Sequence, residues 1–240
     1  MAQYHDKRFP GESDEYRSKR DELLKEEIEL RKQIEKVARR RRSMPLGGKL
    51  PKDYVFDEGG ADLSDLETVR KTKFSELFDN GKQSLFIYSF MFTPDADTPC
   101  TSCNSILDGL NGQARHIKDR VNFVVVAKAP IKQLRAWARK RGWNGLRLLS
   151  SYFNSYNADY FVESPDGKNQ WPAANVFTKT DDGIYHFYNT ELLYAPTEEG
   201  QNGRHVDMIW PLWNVFDMTP EGRGTDWYPK HKYQHKMGNS

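Results

Sequence analysis

The chain has 240 residues, with 36 Lys and Arg against 34 Asp and Glu, and only two cysteines. The near-balance of charge excludes a nucleic-acid binder that works through bulk charge. Two cysteines are too few for a disulfide scaffold or, alone, for a structural zinc site. An aromatic content of 13% excludes a disordered chain.

Met1 to Pro10 is polar and lacks the apolar run of a signal peptide. The longest apolar stretch, Leu85 to Phe92, is too short to span a bilayer. The expectation is a cytoplasmic protein without membrane partners. In a reducing compartment a close cysteine pair serves catalysis, redox sensing or metal binding rather than stapling.

From Ser13 to Arg42 there is no Gly or Pro, and Tyr16, Leu23, Leu30 and Val37 recur every seven residues. This predicts one long helix with an apolar stripe. Arg39 to Arg42 complement its C-terminal dipole, and Pro45, Gly47 and Gly48 end it. The stripe needs a covering surface, supplied by the chain's own domain or by a partner subunit, and the expectation is a homodimer through this helix. Because the rest of its surface mixes both signs of charge, the Arg run is not read as a nucleic-acid site.

Lys52 to Asp57 reads as a short strand and Leu63 to Phe78 as short helices closed by Asp79-Asn80-Gly81. Ser84 to Phe92 is a dense apolar run, as expected of a strand buried on both faces. A loop from Thr93 to Pro99 leads to the cysteines and a helix reaching Asp119. Val121 to Ala127 reads as a second buried strand. A helix follows from Pro130 to Arg141, closed by Gly142, and Leu146 to Ser150 forms a third strand. Val176 to Thr180 and Ile184 to Tyr188, joined by Asp181-Asp182-Gly183, predict a hairpin. A βαβαβ run that finishes in an antiparallel hairpin implies a mixed α/β sheet of thioredoxin-like type. The expected division is a charged helical arm over 1–50, a thioredoxin-like domain over 51–195, and an aromatic-rich C-terminal extension over 196–240 packed on the core.

Cys100-Thr101-Ser102-Cys103 falls between a buried strand and a helix. Free N–H groups and the helix dipole there lower a thiol's pKa, which makes Cys100 the candidate nucleophile. The i, i+3 spacing puts Cys103 on the same side of the first turn, as a resolving thiol that attacks a mixed disulfide. Pro99 stiffens the entry to the turn. The pattern points to thiol–disulfide exchange on a protein or a low-molecular-weight thiol, with no cofactor. His186, in the second hairpin strand, reads by default as a structural histidine and otherwise as a support for the Cys100 thiolate. A competing reading is a metal module in which Cys100, Cys103 and His186 hold copper or zinc. A further alternative is a thiol peroxidase. Peroxiredoxins place a Pro and a Thr or Ser ahead of the reactive cysteine; here Pro94 and Thr98 precede Cys100, with Thr98 two residues away instead of three.

Arg42-Ser43-Met44-Pro45, Lys52 to Phe56, Phe90-Met91-Phe92, Pro99 to Cys103, Val124 to Pro130, Val176-Phe177, His186 and Asp217 to Arg223 together resemble the bacterial family called domain of unknown function 899. That resemblance implies a thioredoxin-like fold and a redox-type cysteine pair, and no substrate. Members of the family often carry Pro directly after the first cysteine, where this chain has Thr101.

Thioredoxins also set a cis-proline opposite the cysteines. Pro172 is the nearest candidate, and an ordinary loop proline is the favoured reading. His231 and His235, four residues apart, are expected on the surface of a frayed tail. Seventeen of the 31 aromatic residues follow Ser151. They are read mainly as packing, with a pocket over the cysteines as the functional alternative.

Overall fold

A computed structural model describes residues 4–79, 81–199 and 202–233. The chain divides into two compact units, Met1–Pro45 and Leu46–Ser240.

The first unit is built on α1 (Asp14–Arg42). Ser13 caps it, its hydroxyl accepting from the Tyr16 backbone N–H at 3.1 Å. Asp14 and Glu15 occupy the first turn and four arginines the last, each matching the helix dipole. Ion pairs such as Lys19–Glu22 and Arg20–Glu27 line its surface. Tyr16, Leu23, Leu30, Ile34 and Val37 are exposed along it.

The second unit contains β1 (Val55–Gly59), β2 (Val69–Lys73), β3 (Ser84–Phe90), α2 (Thr101–Arg120), β4 (Asn122–Ala127), α3 (Ile131–Arg141), β5 (Leu148–Ser150), α4 (Tyr156–Asp159), β6 (Ala173–Thr180), β7 (Gly183–Asn189) and α5 (Pro211–Asp217). Its seven strands form one sheet in the order β2-β1-β5-β4-β3-β6-β7. β3, β4 and β5 are parallel, while β6 runs antiparallel to β3 and β7 antiparallel to β6. A parallel βαβαβ run with an antiparallel hairpin on the far side of its first strand is a thioredoxin-like mixed sheet. Among the described residues no helix is long and apolar enough to cross a membrane.

Strict alternation along the central strands separates two cores. Tyr88 and Phe90 of β3, with Phe123, Val125 and Ala127 of β4, pack under α2 and α3 together with Cys103 and Trp213. Leu85 and Ile87, with Val124 and Val126, point the other way, into a cluster with Phe74, Tyr156 and Phe177. Right-handed crossovers that move steadily toward one edge put both helices on one face.

The segment Leu63 to Phe78 departs from expectation. Most of it is not helical: β2 pairs in full register with β1, and only Phe74–Leu77 coils, as a 3₁₀ turn. Val69 and Thr72 suit a strand, and the Thr72 hydroxyl donates to the buried Glu58 carboxylate at 2.7 Å. Glu58 also accepts from Arg147 (2.8 Å) and pairs with Arg70 (3.1 Å), which ties β2 and β1 to the segment entering β5. Burial alone would raise this carboxyl's pKa, but the bonds from Arg147 and Thr72 and the Arg147 charge outweigh it and leave it lowered.

Replacing Arg147 by Met is expected to cost about 2 kcal/mol in urea unfolding, less than a fully buried pair because Arg147 keeps some solvent contact. The wild-type contribution is present above the ordinary carboxyl value of 4.5 and is lost as the pH falls through the lower folded value. The variant's acid unfolding should therefore begin at higher pH.

Candidate functional site

β3 ends at Phe90, inside the sheet, flanked by parallel β4 on one side and antiparallel β6 on the other. The Cys100 N–H donates back to the Met91 carbonyl at 3.1 Å, and the Ala129 N–H donates to the Phe92 carbonyl at 2.8 Å. The loops after β3 and β4 are thereby stitched together, with the start of α2 above the carboxyl ends of the two strands.

Cys100 is the N-cap of α2, and its Sγ accepts from the Cys103 backbone N–H at 3.4 Å. A capping side chain satisfies N–H groups that have no partner inside the helix, and here the acceptor is a sulfur. Cys100 is partly exposed, whereas Cys103 is buried. The Cys100 thiol is lowered to about 6, chiefly by the Cys103 thiol donating to it. The backbone N–H groups of Cys103 and Ser102 add to this, and burial opposes it. Cys103 is pushed well up, first by burial and then by its bond to Cys100. The Tyr88 phenol faces the same buried thiol and is itself pushed up by burial. One thiol is thus poised to ionise while the other holds its proton.

Asn104 follows directly and is almost fully buried. Its Nδ2 donates to the Cys100 carbonyl (3.1 Å) and to His231 Nδ1 (2.9 Å), and its Oδ1 accepts from Trp137 Nε1 (2.8 Å). The His231 ring stands edge-on to Trp137 with centroids 5.1 Å apart, and the Pro99 carbonyl also faces that ring. The turn carrying Cys100 is therefore held from α3 and from the C-terminal segment at once.

A family model described as a bacterial protein of unknown function, DUF899, matches residues 7–236. The chain belongs to this family. Comparison with curated proteins gives no match. Among solved structures, AhpC of Enterococcus faecalis is 14% identical, with 71% of this chain and 92% of that one covered at a TM-score of 0.45. Thioredoxin peroxidase I of Plasmodium yoelii is 17% identical, with 71% and 90% covered at 0.44. Peroxidoxin BcpB of Mycobacterium tuberculosis is 17% identical, with 72% and 97% covered at 0.42. At such TM-scores the likeness carries no argument about what this DUF899 chain does.

Other predicted residues of this DUF899 member fall differently. Pro99 is buried at the helix entry, beside Cys100. Thr98 is exposed, and the groups bonding the Cys100 sulfur come from Ser102 and Cys103 instead. His186 does not join the cysteines. It pairs across the hairpin with Phe177 and packs against Phe177 and Tyr160, on the opposite face of the sheet, with Nε2 at 3.1 Å from Asn175 Oδ1. The metal set of Cys100, Cys103 and His186 is therefore not assembled, because the pleat directs its members to different sides. Among the described residues no three His, Cys, Asp or Glu side chains are grouped to hold a metal ion.

Pro172 directly precedes β6 and lines a cavity with Cys103, and because among the described residues no peptide bond is cis it is an ordinary trans proline, the favoured reading. His231 lies not in a frayed tail but against the turn that carries Cys100. His235 lies outside the described residues. Asn104, Trp137 and Tyr88 escaped the sequence reading. An Asn in the first turn of a helix signals only a local role, and its partners are distant in the chain.

Asn104→Ala strands the Trp137 indole N–H in a buried site. The expected loss is about 1–3 kcal/mol, measured by chemical denaturation. Stability equal to the wild type would show that the network does not hold this turn.

Proposed function

We propose that this protein is a thiol–disulfide oxidoreductase, with Cys100 as nucleophile and Cys103 as resolving thiol. The observation that carries the reading is the opposed shift of the two thiols: Cys100 is lowered to about 6 while Cys103 is held protonated. The Cys100 thiolate attacks one sulfur of a substrate disulfide. The substrate S–S bond breaks, a mixed disulfide forms, and the departing thiolate takes a proton from water. Cys103 then gives its proton to solvent and its sulfur attacks Cys100 Sγ. The second substrate thiolate leaves and is protonated, and the Cys100–Cys103 disulfide remains. Two electrons pass from the dithiol to the substrate, and an external dithiol restores the starting state.

Iodoacetamide alkylation of Cys100 in the reduced protein should rise with pH through a midpoint near 6. In Cys103→Ala, which removes the largest cause, the midpoint should climb by about one unit. It should stay below that of a free thiol because the backbone donors remain. A wild-type midpoint in the ordinary thiol range would overturn the reading. Linkage gives a second readout. Between about 6 and about 8.5 the unfolded chain binds more protons at Cys100, so the reduced protein gains stability with rising pH. Above that range the gain turns to loss, because folded Cys103 stays protonated while its unfolded counterpart ionises.

The proposal extends to assembly: α1 pairs with α1 of a second copy. Supporting it is the seven-residue recurrence of Tyr16, Leu23, Leu30 and Val37, all exposed in the single chain. Replacing Leu23 and Leu30 together by Glu should reduce the mass in sedimentation equilibrium from two chains to one. A wild-type mass of one chain would remove the pairing.

A further inference from the structure

Against the first turn of α2 lies a cavity of about 480 Å³, floored by Ser102 and Cys103 and walled by the C-terminal residues Trp213, Trp227 and Tyr228, with Pro172 at the start of β6. That volume falls within the range of small-molecule sites. We propose that it receives the organic part of the substrate, and that the substrate is a neutral aromatic disulfide of low molecular weight rather than a protein. This deepens the thiol–disulfide reading and rests on it.

Shape, charge and position point the same way. Trp213 is buried, with the Arg223 guanidinium 5.6 Å over its ring, and it meets Trp227 at 6.0 Å and 86° and Tyr228 at 6.0 Å and 79°. The open part of the wall is therefore the half-buried Trp227 and the exposed Tyr228, each nearly perpendicular to Trp213. A flat aromatic group can stack on one and meet the edge of the other. Two cations line the cavity, and both are already paired. Arg223 binds Asp217 at 2.7 and 2.6 Å and Asp207 at 2.8 Å, while Arg204 binds Asp207 at 2.7 Å. With their charge spent on these carboxylates, the walls favour an uncharged ligand over an anion. His205 donates through Nε2 to the Pro172 carbonyl at 2.8 Å, and burial lowers its pKa, so it adds no positive charge near neutrality. The cavity reaches the thiols from the side of Cys103, whose backbone N–H stands 3.4 Å from Cys100 Sγ. Cys100 itself does not line the cavity, so a ring held there lies against the turn that carries the nucleophile, and the substrate sulfur reaches Cys100 past Cys103.

The test compares two disulfides, aromatic dithiodipyridine and aliphatic hydroxyethyl disulfide, each reacting with the full-length reduced protein. Each rate is divided by that of the same disulfide with dithiothreitol, which removes the difference in intrinsic reactivity. The corrected preference for the aromatic disulfide should be about tenfold and should collapse toward unity in Trp227→Ala. Where that variant does not fold, Thr225→Trp, at the exposed rim of the cavity, fills the same space and should abolish the preference. A corrected ratio near unity in the wild type, or one unchanged when the cavity is filled, overturns the proposal. A lowered Cys100 midpoint without aromatic preference defeats this inference alone, whereas an ordinary midpoint defeats the exchange reading beneath it.

Discussion

Helix α2 must begin somewhere, and its first N–H groups need an acceptor. In this protein the acceptor is the sulfur of Cys100. Capping is usually done by oxygen, and a neutral thiol accepts weakly. A thiolate accepts far better, because a charged acceptor strengthens each bond it receives. The structural need of the helix and the ionisation of the cysteine therefore favour the same state. Burial works against that state, and the Cys103 thiol and backbone donors overcome it. Everything that fixes where α2 starts also fixes the chemistry of Cys100: the stitched loops after β3 and β4, the Asn104 side chain, and the C-terminal segment behind it.

The two thiols differ because the sheet gives them different surroundings. Cys100 stands at the lip of the core, whereas Cys103 faces inward over Tyr88. An apolar floor raises the cost of charge on the second thiol, so its proton remains available to bond the first. A symmetrical pair, equally exposed, would share the proton without deciding which sulfur attacks. The asymmetry comes from the three-residue spacing on a helix whose inner face is packed by Ile106, Leu107 and Leu110.

Much of this was legible in the residues. The two buried strands, the helix between them and the cysteine spacing are local patterns, and local patterns survive translation into structure. The separation of His186 from the cysteines was legible only in principle. It depends on the register of β6 against β3, where Phe177 faces Leu85 and Asn175 faces Ile87. One residue of slip would have turned His186 toward the other face. The segment before β3 misled for a different reason. Val69 to Lys73 is charged and short, and only its partner strand and the buried Glu58 make it extended.

The C-terminal residues show most plainly why sequence stops short. Between Leu192 and Tyr233 there is weak periodicity, and the aromatics there suggest packing of no particular kind. In space they converge on α2: Trp210 Nε1 donates to the Ser105 hydroxyl at 3.0 Å, Trp213 joins the core that contains Cys103, and His231 meets Asn104. These contacts bridge more than a hundred residues of chain, so no local rule anticipates them. Their closeness to the thiols also changes what the aromatics mean. A tryptophan that only filled the core would be enclosed on all sides, yet Trp213 and Trp227 keep one side toward an open cavity. The same rings therefore do two things: they hold the segment to α2 on one side, and on the other they line a cavity that Cys103 also lines.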